Sequence, residues 1–216
     1  MRPRKLSKTF VSSEVFFIDG FLSETKCDAI LEELKYVPWQ PSLTYRRQAD
    51  GSRRNQLTEN RLSETAHQEW FGGRLNTMLR QIEKRLEKLF SLESANLEYW
   101  QATNYARHGK FDYHLDSGYW STHYAGERIL TFLLYLNTPL KGGGTHFRAL
   151  DVNVESKAGR LLVWENLFPN GNCNHRMIHS ATPVLSGRKT TLVTWQRQRK
   201  FRIHDKRSRG GNDGNA

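Results

Sequence analysis

The sequence predicts a mainly β domain with flanking helices, folded as a β-sandwich or jelly roll. Two apolar stripes of helical period occupy the N-terminal part. From about Leu97 the period changes to two, and Gly- and Pro-containing turns separate the later apolar runs.

In chain order, Ser23 is placed to cap a helix whose Cys27, Ile30, Leu31 and Leu34 form one stripe, and Pro38 stops it. A second helix begins after Gly72-Gly73, with Leu75, Met78, Leu79, Ile82, Leu86 and Leu89 along one face. Its other face, with Arg80, Lys84, Arg85, Glu87 and Lys88, reads as a solvated surface. Between the helices, residues 41–69 are polar and carry Arg46, Arg47, Arg53 and Arg54 around Asp50-Gly51. A loop of that length in a compact domain is either mobile or functional. Leu97, Tyr99, Gln101, Thr103 and Tyr105 then share one strand face. Further strands are expected at 128–137, 159–164 and 190–197. Turns at Gly142-Gly143-Gly144, Pro169-Asn170-Gly171 and Ser186-Gly187 divide them.

The chain's 216 residues suit one domain with a substantial core, and 37% hydrophobic and 12% aromatic content argue for a folded protein. The expected division is a basic tail over 1–8, one folded domain over 9–202 and a disordered basic tail over 203–216. No apolar run is long enough for a membrane span, and no apolar segment follows the basic N-terminus, so a cytoplasmic location is expected. Cys27 and Cys173 are too few for a disulfide framework. The net charge of +11 sits mostly in the ends: Arg2, Arg4, Lys5 and Lys8 at one, seven basic residues after Gln196 at the other. Charge so placed reads as solvated tails, with nucleic acid not expected as a partner.

His114-Leu115-Asp116 puts two metal-competent side chains at i and i+2, on one face of an extended segment. His179, on a later strand, is the candidate third. Two imidazoles and a carboxylate on one octahedral face leave three positions open, which suits non-haem Fe(II) binding a cosubstrate and dioxygen together.

Around these residues runs a longer pattern. It comprises Asn104-Tyr105, Gly109-Lys110-Phe111, Arg128-x-x-Thr131-x-x-x-Tyr135-Leu136-Asn137 and Gly142-Gly143-x-Thr145-x-Phe147. Gly159, His179-x-x-x-Pro183-Val184-x-x-Gly187-x-Lys189 and Trp195 complete it. In these elements the sequence resembles the prolyl-4-hydroxylase branch of the Fe(II)- and 2-oxoglutarate-dependent oxygenases. Phe16–Leu34 resembles that family's entry segment, whereas 41–69 does not match. The resemblance implies a double-stranded β-helix, a cupin-like relative of the jelly roll, with His114, Asp116 and His179 as iron ligands. It selects His179 over His175 by the downstream Pro-Val and Gly-x-Lys spacing. It maps Lys189 onto the cation that pairs with the distal carboxylate of 2-oxoglutarate, and strand alternation separates Lys189, with Thr191, Val193 and Trp195, from Arg188. Tyr105 maps onto a cosubstrate hydrogen-bonding tyrosine, and Thr131 and Trp195 are expected to line the same pocket. His146 is read as structural or substrate-contacting.

The cofactors implied are Fe(II) and 2-oxoglutarate with O₂, and ascorbate as an auxiliary reductant. The implied reaction is hydroxylation of an unactivated C–H bond in a prolyl or other residue of a protein, or in a free amino acid. Asp116 itself favours hydroxylation over halogenation, for which the family has a small residue there. Rival readings are a non-catalytic metal-binding cupin-like module and a nucleic-acid-directed oxygenase of the same superfamily; the oligomeric state stays open.

Overall fold

The computed structural model describes residues 7–47 and 53–203. The expected N-terminal tail is described only at Ser7 and Lys8, and the expected C-terminal tail only at Ile203.

Two antiparallel sheets face each other. The larger has eight strands in the order Thr9–Phe10, Val15–Ile18, Leu161–Glu165, Arg128–Tyr135, Lys189–Arg197, Gln101–Tyr105, Glu64–His67 and Gln40–Pro41. The smaller has five: Val152–Val154, Thr145–Phe147, His179–Ala181, Lys110–His114 and Arg61–Leu62. Sequence neighbours are not sheet neighbours in the centre of the larger sheet. Arg128–Tyr135 lies between Leu161–Glu165 and Lys189–Arg197, so the polypeptide winds between the two layers as in a jelly roll.

The helices cover one face of the larger sheet. Ser23 Oγ accepts from Lys26 N at 3.3 Å and starts α1, Glu24–Glu33, which tightens into a 3₁₀ turn at Leu34–Tyr36 before Pro38. Helix α2, Gly73–Phe90, ends at Ser91 in a left-handed conformation, φ 50°. Their apolar stripes join Phe132, Leu134, Leu161, Val163, Leu192 and Ala102 in one core. Each fully buried Leu or Phe there contributes about 2 kcal/mol.

Period two decides what the other face of the same strands does. Thr131, Leu133 and Tyr135 alternate with Phe132 and Leu134, and Lys189, Thr191, Val193 and Trp195 alternate with Leu192. These residues turn towards the smaller sheet, where a second core of Val15, Tyr135, Phe147, Val154, Leu162, Trp164 and Met177 closes one end of the sandwich. Towards the other end the gap stays open as a cavity.

Four expectations need correction. Residues 41–69 are not a loop. They supply an edge strand and the inner neighbour of the larger sheet, an edge strand of the smaller one, and a hairpin pairing Thr44–Arg47 with Arg53–Gln56. Two-residue strands leave no period to detect. The second face of α2 is only partly solvated. Arg85 donates to the Phe21 carbonyl and lies over its ring, and Glu87 accepts from Ser94 N at 2.9 Å. Leu89, placed in the stripe, is exposed at the helix end. The strand expected from Leu97 begins at Gln101, because 3₁₀ geometry holds Ser94–Asn96 and Glu98 is used by the network described below.

Candidate active site

His114 ends the strand Lys110–His114, and His179 opens the strand His179–Ala181. Register places the two directly opposite each other, with ring centroids 4.3 Å apart. One ligand-capable atom from each of His114, Asp116 and His179 lies within 4.8 Å of the others. Among the described residues no other group of three His, Cys, Asp or Glu is so arranged. Both imidazoles are oriented from behind: His114 Nδ1 bonds the Asp112 carbonyl at 2.9 Å, and His179 Nδ1 the Met177 carbonyl at 2.8 Å. Each Nδ1 therefore carries the proton, and each Nε2 lone pair is left for a metal. Burial and the neighbouring His179 push His114 down to about 3, so its ring is neutral near pH 7. Asp116 stays ionised: burial raises its pKa, but His179, His114, Arg128 and Trp195 together outweigh that and lower it.

Asp116 is held in turn. Thr131 Oγ1 donates to its Oδ2 at 2.7 Å, and Asn166 Nδ2 donates to Thr131 Oγ1 at 2.8 Å. Thr131, expected in the cosubstrate pocket, is instead fully buried behind Asp116 and off the cavity wall. Its hydroxyl is committed to aiming the carboxylate, and Asn166, which no sequence pattern pointed to, completes the relay.

Lys189 and Tyr105 stand opposite each other on paired strands of the larger sheet. The ammonium is 1% exposed, accepted by the Gly144 carbonyl at 3.2 Å, and flanked by the Tyr105 and Tyr135 rings at 5.1 and 5.4 Å. Gly143, at φ 73°, makes the turn just before this carbonyl. No carboxylate lies within ion-pair distance of Lys189 among the described residues, and burial pushes its pKa down to about 7. An unpaired buried cation of this kind is a receptor for an anion. Arg188 is exposed on the opposite face, as alternation required.

Lys189, Tyr105 and Trp195 share a cavity of about 550 Å³ with the three metal-competent residues. Strand faces 101, 103 and 105, and 189, 191, 193 and 195, form its floor. Residues 40–44 with Arg61, Thr65 and His67 form one wall, and Tyr119, Trp120 and Arg128 another. Arg128, quoted in the motif without a role, is clasped by Glu98 through Nε at 2.6 Å and Nη2 at 2.8 Å and lies 3.6 Å from the Trp195 ring centroid. Arg61 is a cavity residue that sequence reasoning missed, because its strand is two residues long. His175 is exposed and off the cavity. His146 points away from it, bonding Tyr113 Oη at 2.7 Å and facing Asp151 at 3.5 Å.

The wall at Trp120 is fastened by residues after the last strand. Glu127 accepts from Trp120 N and Gly118 N at 2.7 and 3.0 Å. Gln198 and Arg199 bond back to residues 123–127, and Phe201 stacks on His123 at 5.8 Å. We expect Phe201→Ala to speed hydrogen exchange at residues 118–127 by at least ~10-fold, as a locally destabilised segment should, with residues 189–195 unchanged. Ending the chain after Ile203 should leave both sets protected. Equal loosening of both regions in Phe201→Ala would show that the strap serves the whole fold.

Residues 100–197 match the model of the 2OG-Fe(II) oxygenase superfamily. The chain is 32% identical to the prolyl 4-hydroxylase subunit alpha-1 of Gallus gallus over 136 residues, 60% of this chain and 26% of that one. It is 33% identical to a putative prolyl 4-hydroxylase of Acanthamoeba polyphaga mimivirus over 134 residues, 58% and 55% of the two chains. The aligned region thus spans about a quarter of the alpha subunit and about half of the viral protein. In fold it is similar to the viral collagen prolyl hydroxylase of Paramecium Bursaria Chlorella virus-1, solved as its 2OG complex. That match has TM-score 0.65 and 22% identity, over 86% of this chain and 97% of that one. In its double-layered β fold, its His-Asp-His group and these matches, the chain resembles the 2OG-Fe(II) oxygenases, and among them the prolyl 4-hydroxylases.

Proposed function

We propose that this chain is an Fe(II)- and 2-oxoglutarate-dependent dioxygenase that hydroxylates a prolyl residue of a peptide or protein. One observation carries the reading. A three-ligand face, His114, Asp116 and His179, and a buried cation without an acid, Lys189, look into the same cavity. A metal-binding barrel without activity would give Lys189 no task.

The donor set fits the metal. Two imidazoles, each with its Nδ1 held by a backbone carbonyl, and an ionised carboxylate on one side leave the cavity side open for other ligands. The Lys189 ammonium fits the cosubstrate, because a dicarboxylate reaching from the metal face needs a charge-assisted partner at its far end. Fe(II) with 2-oxoglutarate, when bound, supplies oxidation of an unactivated C–H bond by O₂, with release of succinate and CO₂. The chain's own residues bind and orient. Asp112 and Met177 carbonyls fix the histidine tautomers, Thr131 aims Asp116, and Tyr105 packs on the Lys189 arm. Trp195, Trp120 and Arg128 wall the remaining space and keep water from the reacting centre. The cavity holds more than 2-oxoglutarate needs, which leaves room for a ring the size of proline.

Thr131→Val should lower Fe(II) affinity by roughly 10- to 100-fold while the chain still folds, since it removes the bond that orients Asp116 and, with it, the acceptor for Asn166 Nδ2. Unchanged affinity in an anaerobic titration would leave Thr131 a packing residue. The activity itself is tested by incubating the Fe(II)-loaded protein with 2-oxoglutarate, O₂ and prolyl peptides, reading succinate and a one-oxygen mass gain on proline. Succinate without any modified peptide would contradict the substrate reading.

We also place the protein in the cytoplasm. In support of a reducing compartment, Cys27 and Cys173 are both free.

A further inference from the structure

Three cations line the cavity, Arg61, Arg128 and Lys189, against a single acid, Asp116. Their partners can be assigned one by one. Arg128 is paired with Glu98. In the loaded site, Lys189, the two charges of the metal, Asp116 and the two carboxylates of the cosubstrate cancel. Arg61 remains. It has no carboxylate within 4.0 Å among the described residues; Asp116 and Tyr105 face it from farther off. Its donors reach only neutral oxygens: Ser63 Oγ at 3.3 Å, the Leu43 carbonyl at 3.1 Å and Thr65 Oγ1 at 3.3 Å. These account for three of its five N–H groups and fix the guanidinium plane over Phe111, 4.6 Å from the ring centroid. Arg61 lines both the metal cavity and an adjoining outer cleft formed with Pro41, Leu57, Thr58 and Glu59. It is a pre-positioned cation at the junction of the two.

We propose that Arg61 is a specificity-determining residue that receives the carboxylate of an acidic residue close to the proline being hydroxylated. This rests on the reading of the chain as a prolyl hydroxylase. Phe111 stacks between Arg61 and the metal-side ring of His114, at 4.6 and 3.7 Å. The two steps together span ~8 Å, about two residues of extended peptide. The substrate class is thus an acidic peptide, with Asp or Glu about two positions from the target proline.

The test uses the full chain loaded with Fe(II) and 2-oxoglutarate. A set of prolyl peptides carries one glutamate moved from three residues before the proline to three after it, with Gln and Lys versions of each. We expect one placement, two residues from proline, to raise kcat/KM at least ~10-fold over its Gln version, mainly through KM. The Lys version should be poorest, and the advantage should shrink as salt rises. Arg61→Gln should bring the Glu-to-Gln ratio close to one, and Arg61→Lys should restore part of it. Anaerobic 2-oxoglutarate affinity reports whether each variant is folded and loaded. Equal rates on Glu and Gln peptides with the unaltered protein would overturn the inference. So would an Arg61→Gln loss of the same factor on every peptide, which would mean that Arg61 merely holds Leu43 and Thr65 in place. If no peptide is hydroxylated, the prolyl reading fails. The Glu-to-Gln difference in anaerobic peptide binding, by anisotropy of a labelled peptide, then still decides the role of Arg61.

Discussion

Replacing Lys189 by Ala should raise the dissociation constant for 2-oxoglutarate by ~30-fold or more while leaving Fe(II) affinity nearly unchanged. The distal carboxylate would lose its charge-assisted partner in a buried site, a loss on the order of 2–5 kcal/mol, and each 1.4 kcal/mol is tenfold. Lys189→Arg should keep partial affinity, and Arg188→Ala, on the exposed face, should behave as the unaltered protein. The same burial predicts a pH dependence of definite sign. Burial lowers the lysine pKa to about 7 in the empty site, whereas a bound carboxylate holds the proton on and raises it. Affinity should therefore be flat below pH ~7 and weaken about tenfold per pH unit above it, until the pKa of the complex is reached. For the empty protein the sign reverses. A buried, uncompensated ammonium is a cost to folding that is fully present below pH ~7 and gone above the unfolded pKa of ~10.4. Lys189→Met should accordingly raise the Tm of the empty protein at pH 7 while abolishing cosubstrate binding. A Lys189→Met protein less stable than the original at pH 7 would show that the ammonium is already compensated.

The second large effect belongs to the metal group. His114→Ala, Asp116→Ala and His179→Ala should each weaken Fe(II) binding by ~10²–10³-fold, because each removes about a third of the protein's ligand set. His175→Ala should have no effect, since that side chain is exposed and off the cavity. Asp116→Asn is the informative conservative change. It can keep the bond from Thr131 but not the charge, so it separates aiming from electrostatics. If His175→Ala lost iron and His179→Ala retained it, the ligand assignment would be wrong. Circular dichroism and Tm confirm that the variants fold. Asp116→Ala should be the least stable of the three, because it leaves Thr131 and Asn166 without the carboxylate that ends their hydrogen-bond chain.

How far the site could be read in the sequence follows from local geometry. The i, i+2 spacing of His114 and Asp116, and the alternation separating Lys189 from Arg188, are properties of any extended chain. Both are seen in the fold. The long apolar strands, Arg128–Tyr135 and Lys189–Arg197, carried enough residues to show their period. Thr131 shows the limit. The resemblance placed it in the cosubstrate pocket, but whether a hydroxyl there meets a ligand or a neighbouring carboxylate depends on where the chain after His114 returns. The segment 41–69 was opaque for another reason. Strands of two to four residues with polar sequence are stabilised by the partners they meet, not by their own pattern. Arg61 was hidden with them. Glu98, with Arg128 and Arg197 around it, was also hidden: three charged residues far apart in sequence form one buried network only after folding.

The central claim is that one cavity binds Fe(II) on His114, Asp116 and His179 and 2-oxoglutarate against Lys189. Anaerobic titration tests it directly. Fe(II) is added to the protein, then 2-oxoglutarate, while the visible absorption expected of a keto acid chelated to Fe(II) is followed. The prediction is one metal per chain and a band that appears on adding 2-oxoglutarate and saturates. The band should be absent in His179→Ala and shifted to much higher 2-oxoglutarate concentration in Lys189→Ala. Iron that binds without a 2-oxoglutarate-dependent band, or a band indifferent to both substitutions, would contradict the account.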